Sequence, residues 1–314
     1  MLLSRVADSL YWIGRYLERA EHTARLIDVR LDLGLDRMSN AGGWDFARLY
    51  TMVQLDAGES APANPTALSD ALVFDPGNPA AVLASVTAAR ENAAQVREEI
   101  SSDMWEQLNG LFLRLKQARA EGGWSARPHY VFRLVIDGTH LFQGVTDETM
   151  GHGEGWQHLQ LGRFLERASA TAALVDLHFR RELQLPPGHA EWLGLLRSCS
   201  ALEAYCRCYT ADLRPERIAE FLLLNSEFPR SVRFAAERVE SALRAIAGLT
   251  GGAGGRAERL AGRLHASLDY GQVDEILSED PHVYLDTISR YCAQIHGAVS
   301  QSYISYPIET ALPA

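Results

Sequence analysis

Apolar residues recur along this chain at intervals of three and four, the spacing of one helix face, and sustained apolar/polar alternation bounded by turn residues is missing. The pattern predicts helices over residues 3–33, 81–119, 129–144, 156–183, 190–210, 229–248, 256–268 and 282–305. Gly- and Pro-rich breaks are expected at "DAGESAPANP" (56–65), "EGGWSARP" (121–128), "LPPGH" (185–189) and "TGGAGG" (250–255). "EDPHVY" marks a helix start, with Pro281 in the first turn, where its missing N–H is harmless. The fold expected is all-α.

Two of the helices carry one phrase. "GRYLERA" (14–20) returns as "GRFLERA" (162–168), and a shift of 148 positions aligns "IGRYLERAEHTARLID" (13–28) with "LGRFLERASATAALVD" (161–176) at ten identities in sixteen. The same shift places Trp44 on Trp192, and a two-residue slip aligns "NPAAV" (78–82) with "FPRSV" (228–232). The period is too long for a solenoid, whose repeats run about 20–50 residues. Two fused multi-helix units, 1–150 and 151–314, related by a pseudo-two-fold axis, are the architecture expected.

At 100° per residue the first copy divides into two faces. Ile13, Tyr16, Leu17, Ala20, Ala24 and Ile27 form a core stripe; Arg15, Glu18, Arg19 and His22 lie opposite, continued by Asp8 and Tyr11. In the second copy Arg163, Glu166 and Arg167 recur, while Glu21, His22 and Arg25 are replaced by Ser169, Ala170 and Ala173. On a solvated face such ion pairs contribute about 0.2–0.5 kcal/mol each and tolerate exchange of Lys for Arg. Retention of Arg-x-x-Glu-Arg beside drifting neighbours points to a constrained role, because a forked guanidinium is not replaceable by an ammonium. Two roles compete. Glu18 would pair with Arg167 and Glu166 with Arg19 as a buried cross-brace, or the arginines would line a site for carboxylate or phosphate groups. Arg230, expected in the first turn of a helix where a cation opposes the dipole, calls for a carboxylate partner or a bound anion.

Composition narrows the function classes. A net charge of −10 over 314 residues argues against a duplex nucleic-acid binder, which needs a basic face. No apolar run is long enough to span a membrane, and "MLLSRVADSLYW" is interrupted by Arg5 and Asp8, unlike a signal peptide, so a cytoplasmic protein is expected. Cys199, Cys206, Cys208 and Cys292 lack metal spacing and read as small buried hydrophobes. No metal and no cofactor are expected. The one Glu-x-x-His match, Glu279 to His282, contains Pro281, and a phosphate-loop or Gly-x-Ser-x-Gly motif is missing. Asp28, Asp32 and Asp36, four apart, read as a solvated acidic edge; Arg90, Glu91, Arg97 and Glu98 read as a solvated charged helix; and Glu203 and Tyr205 are weaker interior candidates. His152 and His158, six apart, make a poor metal pair.

"LSRVADSLYWIGRYLERAEHTARLID", the second "LGRFLERA", "MGHGEGW" (150–156) and "FLLLNSEFPRSV" (221–232) together resemble the bacterial alpha-E family. The resemblance covers almost the whole chain and implies a helical protein with a tandem Glu-Arg motif, here Glu18-Arg19 and Glu166-Arg167. It also implies a place in a bacterial peptide-synthesis or peptide-modification system, beside a circularly permuted ATP-grasp amide ligase, a transglutaminase-like protease and a proteasome-like hydrolase. The chain would then be a binding or acceptor-positioning partner of the ligase. Two alternatives stand: an independent enzyme acting on a small carboxylate or phosphate substrate, with Glu18 or Glu166 as general base, and a purely architectural adaptor.

Overall fold

A computed structural model describes residues 2–37, 70–75, 77–122, 127–179, 188–251, 255–278 and 280–304. The helices are α1 (Ser4–Arg37), α2 (Val82–Gln95), α3 (Ser102–Ala120), α4 (Pro128–Thr149), α5 (Glu154–Phe179), α6 (His189–Ser198), α7 (Leu202–Tyr209), α8 (Pro215–Leu224), α9 (Val232–Thr250), α10 (Arg256–Asp269), α11 (Val273–Ser278) and α12 (Pro281–Val299), which ends in a wider π-type turn over Ser300–Ile304. Among the described residues there is no strand, so the protein is all-α.

Local chemistry accounts for the ends. Ser101 and Ser231 cap α3 and α9 by accepting from the amides of Met104 and Phe234, each at 3.1 Å, and Asp280 caps α12 through the amide of His282. Pro128, Pro215 and Pro281 sit in first turns, as expected for Pro281. Gly251 closes α9 in the left-handed conformation that favours glycine. Two predicted helices are each divided. The 81–119 segment breaks at 96–101, and 190–210 breaks at Cys199–Ala201, where Ser200 takes a positive φ. Helices α8 and α11 were not expected. Trp44, the 56–65 connector and the ends predicted at 183 and 305 lie outside the described residues.

Helices α1 and α5 form the centre. Their paired residues are separated by a nearly constant 147 to 152 positions, from Leu2–Glu154 to Arg19–Glu166, so the two helices run parallel. They touch backbone to backbone. A Cβ added at Gly14 would stand 2.1 Å from the Leu159 carbonyl oxygen, and one at Gly162 would stand 2.0 Å from that of Tyr11. Only glycine allows this approach, which brings Cα–H groups against carbonyls. Around this pair α1 packs on α2 and α4, with α3 bridging those two. In the same order α5 packs on α9 and α12, with α10 bridging. Leu10, Ile13, Leu17, Leu161, Leu165 and Val175 fill the interior.

Candidate functional site

Five of the six residues of the expected core stripe of α1 are buried, and the opposite polar face is turned inward as well, as the buried cross-brace requires. Both faces are interior, because α1 is enclosed by α2, α4, α5 and α6. Glu18 is 1% exposed, and Glu21 and Tyr11 are fully buried, whereas Tyr16 of the expected core stripe is only half-buried. Glu21, His22 and Arg25 differ between the copies, yet Glu21 and His22 are buried and Arg25 is half-buried. Divergence there is change within the interior.

The cross-pairing is reciprocal. Arg167 donates from Nε and Nη2 to the two oxygens of Glu18, at 2.6 and 2.7 Å. In the opposite sense, Arg15 Nε and Arg19 Nε donate to Glu166 Oε2 and Oε1, at 2.6 and 2.7 Å. The sides then diverge. Arg230, which lies just before the Ser231 cap and not inside the helix, reaches across to Glu21 at 2.7 Å and to Glu18 at 3.5 Å. Arg25 also pairs with Glu21, and His140 Nε2 stands 3.6 Å from it. Arg167 additionally donates to the Pro229 carbonyl, and Thr171 donates to that of Arg230. The expectation of a carboxylate partner for Arg230 is met by Glu21 and Glu18.

Arg163 is the odd member. Its counterpart Arg15 bonds Glu166 directly, but Arg163 lies 3.9 Å from Glu18, which Arg167 and Arg230 already occupy. It turns to neutral amides instead, Gln143 at 2.6 Å and Gln160 at 3.4 Å, and its buried Nε has no hydrogen-bond partner among the described residues.

The electrostatics follow from this pairing. Burial pushes the Glu18 carboxyl up, but Arg167 and then Arg230 outweigh it and hold it below the ordinary range. Glu21 is buried too, and Arg230, His140 and Arg25 hold it well below that range. For Glu166, Arg15 and Arg19 overcome burial in the same way. Burial, then the neighbouring Arg167, pulls Arg163 down to about 10. All three carboxylates are therefore ionised near neutrality, facing six guanidinium groups (Arg15, Arg19, Arg25, Arg163, Arg167 and Arg230) in a centre where cations are in excess.

A second reciprocal feature passed unnoticed in the sequence. His129 Nδ1 lies 2.6 Å from Asp28 Oδ1, and His282 Nδ1 lies 2.6 Å from Asp176 Oδ1. Asp28 and Asp176 are aligned in the repeat, and both histidines follow the proline that opens a helix, so the twice-used Pro-His dipeptide was the available signal. Asp32 pairs with Arg197 at 2.5 Å. The stretch read as a solvated acidic edge is thus partnered at Asp28 and Asp32. Arg90 bonds Asn109 and lies over Trp105 and Phe112, so it too is engaged, while Glu91 and Glu98 are exposed. Glu203 is exposed, and Tyr205 is buried elsewhere, donating to the Asp212 carbonyl. His152 stacks on Trp156 at the surface, whereas His158 is buried. Cys199 and Cys292 are buried and Cys206 half-buried, but Cys208 is exposed, against the expectation for all four. Among the described residues no group of three His, Cys, Asp or Glu side chains is placed to hold a metal ion, and no helix is long and apolar enough to cross a membrane.

The alpha-E family, described as a predicted alpha-helical domain with a conserved ER motif, matches residues 2–304. The chain belongs to the alpha-E family. The Glu-Arg pairs of this alpha-E chain are the residues that cross between α1 and α5. It is 23% identical over 317 residues to uncharacterized proteins of Mycobacterium bovis and Mycobacterium tuberculosis, a match covering 94% of this chain. The chain spans 35% of the length of those relatives. No solved structure matches it.

Proposed function

We propose that this alpha-E chain works in a bacterial peptide-synthesis or peptide-modification system, as a binding or acceptor-positioning partner of a circularly permuted ATP-grasp amide ligase. A cytoplasmic location and a transglutaminase-like protease among its companions belong to the same proposal. We infer further that the halves 1–150 and 151–314 descend from one duplicated unit, a reading supported by their shared packing order.

Family membership supports the ligase association. The observation that carries the non-catalytic role is the state of Glu18 and Glu166. A general base at neutral pH needs a carboxyl whose proton affinity is near the working pH. Both glutamates are instead held below the ordinary range, with arginines on both oxygens, which makes them weak bases. That state weighs against the independent-enzyme alternative. The architectural adaptor gains from the closed Glu18–Arg167 pair, in which each carboxylate oxygen already accepts from a guanidinium nitrogen.

The test is recovery of partners on the intact chain from its native bacterium, followed by an ATP-dependent amide-ligation assay. Product formation by the recovered ligase is expected only when the chain is present. Equal rates without it overturn the proposal, and turnover by the chain alone establishes the enzyme alternative.

A further inference from the structure

The two sides of the α1–α5 crossing are not equally filled. At the Glu18 side, Arg230 lies on Glu21 and Glu18. In the sequence repeat the counterpart of Arg230 is Ala80 and that of Glu21 is Ser169, so on the Glu166 side this plug is reduced to a methyl and a hydroxyl. Exposure follows: Arg167 is 4% exposed and makes three hydrogen bonds among the described residues, whereas its counterpart Arg19 is 28% exposed and makes one there, from Nε to Glu166. Among the described residues neither Nη group of Arg19 has a hydrogen-bond partner, and the guanidinium lies over the ring of Tyr16. Ser169 and Ala170 are half-buried, where Glu21 and His22 are buried.

A second observation is independent of this count. His22, one turn beyond Arg19 on the same face of α1, is only 9% exposed, and its Nε2 has no hydrogen-bond partner among the described residues. A buried polar atom left in this state costs about 1–3 kcal/mol unless something satisfies it. Its counterpart is Ala170, so the feature has no equivalent in the second copy, and its charged surroundings, Glu21, Arg230, Glu18 and Glu166, place it between the two sides. Burial lowers the basicity of the ring, leaving a neutral imidazole whose Nε2–H tautomer is a donor.

We propose that the unplugged side binds one oxyanion, a carboxylate or phosphate group, through the Nη groups of Arg19 with His22 Nε2 and Ser169 as further donors. The proposal rests on the acceptor-positioning role and gives it a chemistry. The acceptor, or the carboxyl group to be joined, is held by its negative charge beside Glu166. Among the described residues Arg15 and Arg19 share one carboxylate, that of Glu166, so an added anion balances the local charge.

The experiment is isothermal titration of the isolated full chain with inorganic phosphate and, separately, N-acetylglycine, chloride being adjusted to constant ionic strength. One saturable site is expected, and the anion that binds more tightly identifies the source chemistry. Arg19→Gln should weaken binding about tenfold or more, the cost of losing a charge-assisted hydrogen bond. Arg244→Gln, at an exposed arginine of α9 paired within its own helix to Glu240, should change it by less than about twofold, the behaviour of a distant site. The double variant Ala80→Arg/Ser169→Glu, which copies the plug, should abolish it. Absence of saturable binding in the parent chain, or equal binding by Arg19→Gln, overturns the proposal. If the anion binds as expected but ligation proceeds without the chain, the ligase role fails and the site stands.

Discussion

Gly14 and Gly162 are reciprocal contacts. Each lies against the carbonyl oxygen of the residue three places before the other, Leu159 for Gly14 and Tyr11 for Gly162. Gly14→Ala and Gly162→Ala each force a methyl against backbone that cannot turn aside, so α1 and α5 must separate. Each substitution should destabilise the protein by about 1–3 kcal/mol or more, the range for overpacking. Urea midpoints with unchanged m-values measure the effect, and an alanine variant as stable as the parent would show that the helices do not meet here.

Arg167 and Arg19 are equivalent in sequence and unequal in surroundings. Arg167→Gln leaves Glu18 buried with its bidentate partner gone, a change expected to cost about 3–5 kcal/mol. Arg19→Gln leaves Glu166 with Arg15 and alters a group in contact with solvent, so its cost should stay below about 1 kcal/mol. Thermal and chemical unfolding of the two variants compare them directly, and equal losses would contradict the difference in burial.

Acid should unfold the protein in two stages. His158 is 1% exposed, and burial pushes it down to about 4 from an ordinary 6.5, with His22 lowered for the same reason. The unfolded chain binds these protons first, so stability is complete above about pH 6.5 and falls as pH drops toward 4, by up to about 3 kcal/mol for His158. Glu18, Glu21 and Glu166 have lowered values, so their contribution is complete above the ordinary 4.5 and is lost as pH falls below it. His158→Leu should flatten the first stage and leave the second. An unchanged profile in that variant would exclude His158 as its source.

Most of the helices were legible because apolar spacing marks a buried face, and the repeated Arg-x-x-Glu-Arg offered the pairing of Glu18 with Arg167 and of Glu166 with Arg19 as one of two constrained roles. What stayed hidden has physical causes. The break after α2 falls in "VREEIS" (96–101), which has neither Gly nor Pro and is signalled only by the Ser101 cap. A helix enclosed on all sides presents its charged residues to other elements of the fold, so the usual inference from polar to exposed fails for Glu18 and Glu21. Arg230 comes from a distant loop. Its pairing with Glu21 could be guessed as a need for some carboxylate, but the partner is set by tertiary packing across 209 positions.

The pairing of the duplicated phrases is tested most directly by a double-mutant cycle on Glu18→Gln and Arg167→Met, read by chemical unfolding. The account predicts that the double variant is more stable than the sum of the single losses implies, with a coupling of about 2–3 kcal/mol between the two positions. Losses that add to within about 0.5 kcal/mol, the behaviour of independent sites, would contradict a direct buried pair.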